Sequence, residues 1–522
     1  MHNPKISIRN LVVVLLSMSI FFVWMQAAEM ITIDATKQKP ISPYIYGSNF
    51  PDWKTLGVNV TVARQGGNRM TAYNWETNAS NAGSDWYHQN DAHMGETNES
   101  GWAVRNFLEP AQQHNVAVIL TVPCAGYVAA DKKGDGDVNK TPDYLKVRFL
   151  KSYASKPGDH FIYPPDTTDN AVYQDEFVAW IEKIKSPKTP VWYALDNEPD
   201  IWSGTHARIH PNKITYTEII KINTEYAAAI KKVASKTLIF GPVNYGWLGY
   251  RNLQDAPDAN GPNFLEVYLS AMAQAEKQVG KRLLDVLDIH WYPEAQGDGV
   301  RVTNWGQDKP GTAAARIQAP RSLWDPTYVE QSWITKDVIP GKAIYALPQI
   351  FQQINTFYPG TKLAITEYNY GGENVISGAI AQADVLGIFG RYGIFAACNW
   401  ILSTKAPAQI AGFNAYLNYD GKGSRFGDIG LEVNGETAAS NSVYAALDSK
   451  NRNRLTIVAI NKTDKESAMQ IAVKGYIGNK VNAWGISSKD LSKPSRIPCE
   501  IKKGMVSFTA PALSVTTIEV NR

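Results

Sequence analysis

The chain predicts an α/β fold, a (β/α)8 TIM barrel with an additional C-terminal β-sandwich domain, and three observations lead there. Eight short runs rich in β-branched residues recur between Tyr44 and Trp400, stretches with helical spacing lie between them, and past about Phe426 the helices give way to alternating strands. The length of 522 residues also exceeds one ordinary hydrophobic core. Cores seldom grow beyond ~300 residues, so two domains are expected.

The elements follow in chain order. Residues 1–28 read as a signal peptide, because Lys5 and Arg9 precede an apolar run over 11–25 and then Ala27 and Ala28. Its removal leaves a secreted or periplasmic protein with no membrane attachment. The competing reading is an uncleaved anchor: the run is shorter than the ~20 residues a bilayer span needs, yet the cleavage site is not a clean Ala-x-Ala. Residues 29–43 hold a strand at 30–33, ahead of the turn-rich stretch 39–43, that is expected to join the sandwich and bring the two chain ends together.

Residues 44–425 form the expected barrel. Its strands fall at 44–48, 60–64, 116–122, 191–196, 237–241, 286–291, 363–366 and 395–400. Helical spacing between them is seen in Phe177, Trp180, Ile181 and Ile184, in Ile219, Tyr226 and Ile230, and over 381–392. An open doubly wound sheet is the alternative, weakened by the absence of a G-x-G-x-x-G turn after the first strand. Residues 426–522 read as the β-sandwich, with strands at 455–461, 468–473, 480–485, 505–509 and 514–520. No Ser- or Pro-rich linker separates the two parts, so their interface is expected to be fixed.

Composition narrows the function. With 52 basic against 49 acidic residues and no long basic run, the chain carries no nucleic-acid footprint. Three cysteines, Cys124, Cys398 and Cys499, are an odd count without C-x-x-C spacing, which indicates neither a disulfide framework nor a zinc cluster and predicts buried free thiols. The 15 Trp and 26 Tyr are many for this length and suit a protein that stacks sugars on rings, although such rings also fill cores.

Two strands run straight into a glutamate. Under the eight-strand count Glu198 follows strand four, in Asp196-Asn197-Glu198-Pro199, and Glu367 follows strand seven, in Thr366-Glu367-Tyr368. Both then sit on the C-terminal rim, where active sites of this fold are built. Cleaving an acetal needs one carboxyl to protonate the leaving oxygen and another to meet positive charge at the anomeric carbon. The pattern therefore predicts a retaining glycosidase with Glu198 as acid/base and Glu367 as nucleophile. Asn197 is placed to hold a sugar 2-hydroxyl, while Arg64 and Tyr292, at the ends of strands two and six, are the groups that keep Glu367 ionised. His290 stands beside them, read either as a substrate contact or as a structural histidine, and Trp400 closes strand eight as a floor for the sugar.

These residues resemble glycoside hydrolase family 44. The likeness lies in Asp196-Asn197-Glu198-Pro199 with Trp202, Thr205, His206, Arg208, His210 and Pro211, and in Ile365-Thr366-Glu367-Tyr368-Asn369. It extends to Arg64-Gln65-Gly66-Gly67-Asn68-Arg69, Asn74-Trp75-Glu76, His290-Trp291-Tyr292-Pro293-Glu294 and Leu323-Trp324-Asp325-Pro326-Thr327-Tyr328, and spans essentially the whole mature chain. The resemblance implies an endo-β-1,4-glucanase or xyloglucanase that retains configuration, with an open cleft for internal positions of a polysaccharide. Trp324 and Trp333, in the insertion between strands six and seven, are read equally as glucosyl platforms or core.

No cofactor is required for this chemistry. One loop, 131–137, packs Asp131, Asp135 and Asp137 with two glycines, the hard-oxygen composition that calcium takes, but lacks the bidentate glutamate of an EF-hand. The resemblance adds Glu76 to Asp135 and Asp137 as ligands of a structural calcium; a plain acidic loop is the competing reading. The expected partner is a β-1,4-glucan or xyloglucan, and the chain is expected to act as a monomer. A mannanase or xylanase on the same scaffold, an inverting hydrolase and a silent carbohydrate-binding protein remain the alternatives.

Overall fold

A computed structural model describes residues 30–522 except 55, 57 and 307, so the expected signal peptide lies outside the described residues. Eight parallel strands close into a barrel: Tyr44–Asn49, Val62–Gln65, Ala117–Val122, Val191–Leu195, Ile239–Asn244, Val286–Trp291, Lys362–Tyr368 and Ala396–Asn399. The last pairs with the first through Cys398 with Gly47 and Asn399 with Ser48. Each strand falls on one of the eight expected runs. They read as continuous apolar segments because both faces are covered, by helices outside and by packed side chains within.

The inward faces decide where chemistry can occur. At the lower end Val62, Ala117, Ile119, Trp192, Ala194, Phe240, Val286, Ala364, Ala396 and Cys398 form a plug of their own. Side chains repeat along a strand with a period of two. Two residues further along the same faces stand Arg64 after Val62, Asp288 after Val286 and Thr366 after Ala364, all with 0% exposure. The barrel interior thus changes from apolar to polar in one layer.

Outer helices include Gln174–Ile184, Tyr216–Val233, Phe264–Val279, Ala346–Phe357, Ile376–Tyr392 and Pro407–Leu417. Thr215 caps the second through a hydrogen bond from the Glu218 N–H, and Gly280 ends the third in the left-handed conformation. Helix Ile376–Tyr392 is buried from Ser377 to Gly390. It is apolar almost all round because the barrel lies on one side and the sandwich on the other.

The β-sandwich is a ten-stranded sheet folded over one core that draws on both halves, including Ile33, Ile457, Ile471, Phe508 and Ile518. The strand expected at 30–33 runs on to Pro40. It lies between Ile429–Asn434, antiparallel, and Ser467–Lys474, parallel, with a bulge between Asp34 and Gln38. Against the barrel, Lys462 pairs with Asp384 at 2.8 Å with both side chains buried, Tyr444 Oη donates to Asp384 at 2.7 Å, and Thr517 donates to the Ala415 carbonyl at 2.7 Å. Cys124 and Cys398 are buried free thiols as expected, whereas Cys499 is only half-buried, on a strand at the sheet's edge. No helix of the described residues is long and apolar enough to cross a membrane.

Candidate active site

Glu198 reaches the mouth of the barrel through a strained turn. After Leu195 the chain passes through Asp196 at φ 66° and Glu198 at φ 46°. Left-handed backbone costs a non-glycine residue ~1–3 kcal/mol and persists only where the surroundings hold it. Here the Asp196 carboxylate accepts from the N–H groups of Cys124, Ala125 and Asn197, and Trp202 Nε1 donates to the Asn197 carbonyl at 2.9 Å. The Glu198 N–H bonds the Val243 carbonyl at 2.9 Å. Pro199 then opens the short helix Pro199–Ile201, where its missing N–H is not needed.

Glu367 lies opposite, inside strand Lys362–Tyr368. Its Oε1 accepts from Arg64 Nη1 at 2.7 Å and its Oε2 from Tyr292 Oη at 2.8 Å. Arg64 divides its fork: Nη1 also reaches Asn49 Oδ1 at 3.1 Å, and Nη2 donates to Asn197 Oδ1 at 2.7 Å. The Gly67 N–H donates to that same oxygen at 3.2 Å, which fixes the Asn197 amide and turns its NH2 away from Arg64. His290 Nδ1 stands 2.8 Å from Glu198 Oε1 and 3.5 Å from Glu367 Oε2. One ligand atom each of Glu198, His290 and Glu367 lies within 4.8 Å of the others. Arg64 is the cation already seated on this group.

The two glutamates are in different electrostatic settings. Burial pushes the Glu198 carboxyl up to about 7; Arg64 pulls it back only in part, and Asp85 adds like-charge repulsion. Burial lowers His290 to about 3, so its ring is neutral, and holds the Tyr292 phenol well above its ordinary range as a donor to Glu367. Asp288, beneath the site, is pushed up to about 7 by burial although Arg64 and the Thr366 hydroxyl oppose this.

The family model of glycoside hydrolase family 44 matches residues 79–295. Endoglucanase A of Paenibacillus lautus is 38% identical over 506 residues, covering 92% of this chain and 70% of that protein. The Paenibacillus polymyxa family 44 xyloglucanase, solved with xyloglucan, is 38% identical, covers 94% of this chain and 99% of its own, and superposes with a TM-score of 0.88. The chain belongs to glycoside hydrolase family 44. A family 44 endoglucanase from Clostridium thermocellum agrees, at 40% identity, 95% and 100% coverage and a TM-score of 0.87. The β-mannanase/endoglucanase A of Caldicellulosiruptor saccharolyticus is 42% identical over 496 residues, which are 88% of this chain; the chain spans only 36% of that longer relative.

In this family 44 glycosidase the remaining expected site residues are divided. Trp400 follows strand Ala396–Asn399 with its ring against Gly67, where a Cβ would stand 2.5 Å from Trp400 Cη2. Trp333 lines a cavity with Tyr292 and Tyr245 beside the acid pair. Trp324 lies elsewhere: the Arg391 guanidinium covers its ring at 5.9 Å, at the C-terminal end of helix Ile376–Tyr392, which is the far end from the barrel mouth. Its aromatic face is used in packing, so Trp324 is withdrawn from the sugar contacts.

The calcium expectation for loop 131–137 also needs correction. Asp135 pairs with Arg148 at 2.8 Å, Asp131 with Arg148 at 2.7 Å, and Asp137 with Arg208 at 2.6 Å. Guanidinium groups therefore hold the charges a cation would need, and this loop does not fit the ion. Glu76 is 2% exposed and its Oε2 has no hydrogen-bond partner; burial together with Asp169, Glu176 and Asp166 pushes it up to about 8.

Sequence reasoning missed Asn49, Asp288 and Thr366. Asn49 carried a signal, since a polar residue follows the expected strand 44–48 directly, and in the structure it ends strand Tyr44–Asn49. Asp288 and Thr366 lie inside their strands and show their place only once the barrel closes.

Proposed function

We propose that this glycosidase is an endo-acting β-1,4-glucanase of cellulose-like glucans and xyloglucan, working with net retention through a covalent glycosyl-enzyme intermediate. The observation that carries the reading is the approach of a Glu198 oxygen to within 4.8 Å of a Glu367 oxygen. Retaining pairs stand ~5–5.5 Å apart, and inverting pairs ~6.5–9.5 Å, the wider gap admitting a water between the carboxyls.

In the first step a Glu367 oxygen bonds the anomeric carbon as the glycosidic C–O bond breaks, and the Glu198 proton passes to the departing oxygen. In the second, Glu198 takes a proton from water while that water's oxygen bonds the anomeric carbon and Glu367 leaves as carboxylate. Arg64 and Tyr292 stabilise the ionised Glu367. The free NH2 of Asn197 faces the 2-hydroxyl, and Trp400 receives the sugar face. The endoglucanase and xyloglucanase relatives support the substrate class, and Lys5, Arg9 and the apolar run after them support export.

A 2-deoxy-2-fluoro cellobioside with an activated leaving group tests the mechanism. It should leave a stable label on the peptide containing Glu367, and proton NMR of ordinary turnover should show the β-anomer first. An α-anomer appearing first would replace this reading with inversion. Initial rates on β-glucan, xyloglucan, mannan and xylan decide the substrate; faster cleavage of mannan or xylan would reassign it.

For the structural calcium, we infer a seat at Glu76 with Asp166 and Asp169. A cleft lined by Glu76, Thr77, Asp131, Lys132, Pro164 and Pro165 opens there, and the charges of Asp169 and Asp166 add to burial in raising the Glu76 carboxyl, a setting that a bound divalent ion relieves.

A further inference from the structure

Two large rings stand side by side in solvent on the rim. Trp86 is 54% exposed and Tyr87 67%, with centroids 5.0 Å apart and planes at 73°. They end the short turn Gly83–Trp86, after which Tyr87 and His88 both take left-handed backbone, at φ 53° and 50°. Two consecutive non-glycine residues in that region store strain of the kind found at functional sites. Leaving such rings in water while straining the backbone gains nothing for the fold.

The turn is held rigidly. The His88 N–H bonds the Gly83 carbonyl at 2.8 Å, the Ala82 N–H the Gln89 carbonyl at 2.9 Å, and Asn81 Nδ2 the His88 carbonyl at 2.9 Å. It is also fastened to the catalytic rim. A Cβ at Gly83 would stand 2.4 Å from the Thr205 carbonyl, at the end of helix Trp202–Thr205 that follows Glu198. On its other side Asn68 Nδ2 donates to Asp85 Oδ1 at 2.8 Å, and the neighbouring Gly67 touches both Trp400 and Asn197. One wall therefore runs from Trp400 through Gly67, Asn68 and Asp85 to Trp86.

We propose that Trp86 and Tyr87 form an outer sugar-stacking platform, which takes pyranose faces of a β-linked glucan chain away from the bond being cut. The platform rests on the endo-acting reading given above. A pyranose presents a face of axial C–H groups, and an exposed indole or phenol ring on a preordered turn meets it with little loss of side-chain freedom.

The test is the double variant W86A/Y87A on two substrates. An activated aryl cellobioside spans only the positions next to Glu198 and Glu367, whereas soluble xyloglucan or carboxymethylated cellulose runs along the wall. We expect kcat/KM on the aryl cellobioside to stay within about twofold, while KM on the polymer rises about tenfold with kcat little changed, tenfold being what ~1.4 kcal/mol of stacking gives. Trp86→Phe, keeping a ring, should restore most of the loss. An unmoved polymer KM, or equal loss on both substrates, overturns the platform and leaves the endo-glucanase reading intact. A wild-type enzyme that cleaves the aryl cellobioside but no soluble β-glucan overturns that reading, and the platform with it.

Discussion

Arg64 and Glu367 lie 2.7 Å apart, guanidinium nitrogen to carboxylate oxygen, with 0% and 6% of their side chains exposed. A pair this dry cannot lose one member cheaply, because the other is left charged in a poor solvent for charge. Arg64→Met should cost about 3–5 kcal/mol of unfolding free energy and most of the activity. Arg64→Lys keeps the charge but not the fork that spans Glu367, Asn49 and Asn197, so it should recover part of the stability and little of the rate. Urea denaturation beside initial rates checks both, and an unchanged midpoint for the Met variant would contradict the argument.

The two glutamates should fail differently. Glu367→Gln is expected to abolish turnover in a protein that still folds but is less stable, because Arg64 loses its counter-charge. Glu198→Ala should slow substrates with poor leaving groups by about 10²–10⁴-fold, the range of general-acid assistance, and affect activated aryl glycosides much less. Azide should then rescue the activated substrate; no rescue would remove Glu198 from the acid/base role.

Glu198 also sets a pH limit. An acid pushed up to about 7 by burial is protonated below that value, so kcat/KM should hold through weakly acidic pH and fall as pH rises through about 7. The stability effect has the opposite sign from that of an ion-paired carboxylate. The folded state favours the neutral form, so a penalty is absent below the ordinary glutamate range and complete above pH 7, at about 3 kcal/mol from ~1.4 kcal/mol per unit. Glu198→Gln should therefore match wild type in denaturation at pH 4 and exceed it at pH 8.

Tyr292→Phe removes one donor from Glu367 Oε2 and little else. A hydrogen bond to a charged group contributes ~1.5–3 kcal/mol. The rate of glycosyl-enzyme formation on an activated aryl glycoside should fall about ten- to hundredfold, and a variant within twofold of wild type would show that the phenol is idle in that step.

Calcium should raise the thermal midpoint of the wild-type protein and chelator should lower it. Glu76→Gln should lose that response, and Asp135→Asn should keep it because Asp135 already serves Arg148. The reverse pattern in differential scanning calorimetry would return the ion to loop 131–137.

Much of the barrel could be read beforehand because its strands announce themselves twice, as β-branched runs and by the chemically distinctive side chain at or just beyond their C-terminal ends. Arg64, Glu198, Tyr292 and Trp400 all follow that rule, and the structure brings them together. Asp288 and Thr366 do not, since an inward polar residue in mid-strand looks like any other until its neighbours across the barrel are known. Trp324 stayed open between platform and core for a different reason: the course of a long insertion is set by distant partners such as Arg391, which local pattern does not encode. Loop 131–137 shows a third limit. Three aspartates suit a cation or arginines equally well, and Arg148 and Arg208 declare their roles only through contact.

The strand Met30–Pro40 is wedged between partners that lie far along the chain, one beginning at Ile429 and the other at Ser467. On a ribosome adding about 5–20 residues per second, this segment waits roughly 20–80 s for the first of these neighbours. Throughout that interval it is an unpaired, adhesive edge, and joining it closes one of the longest loops the chain can make. Maturation of this enzyme should therefore be limited by its two ends meeting, and deleting a few residues before Ile41 should trap a half-built C-terminal layer around an otherwise complete barrel.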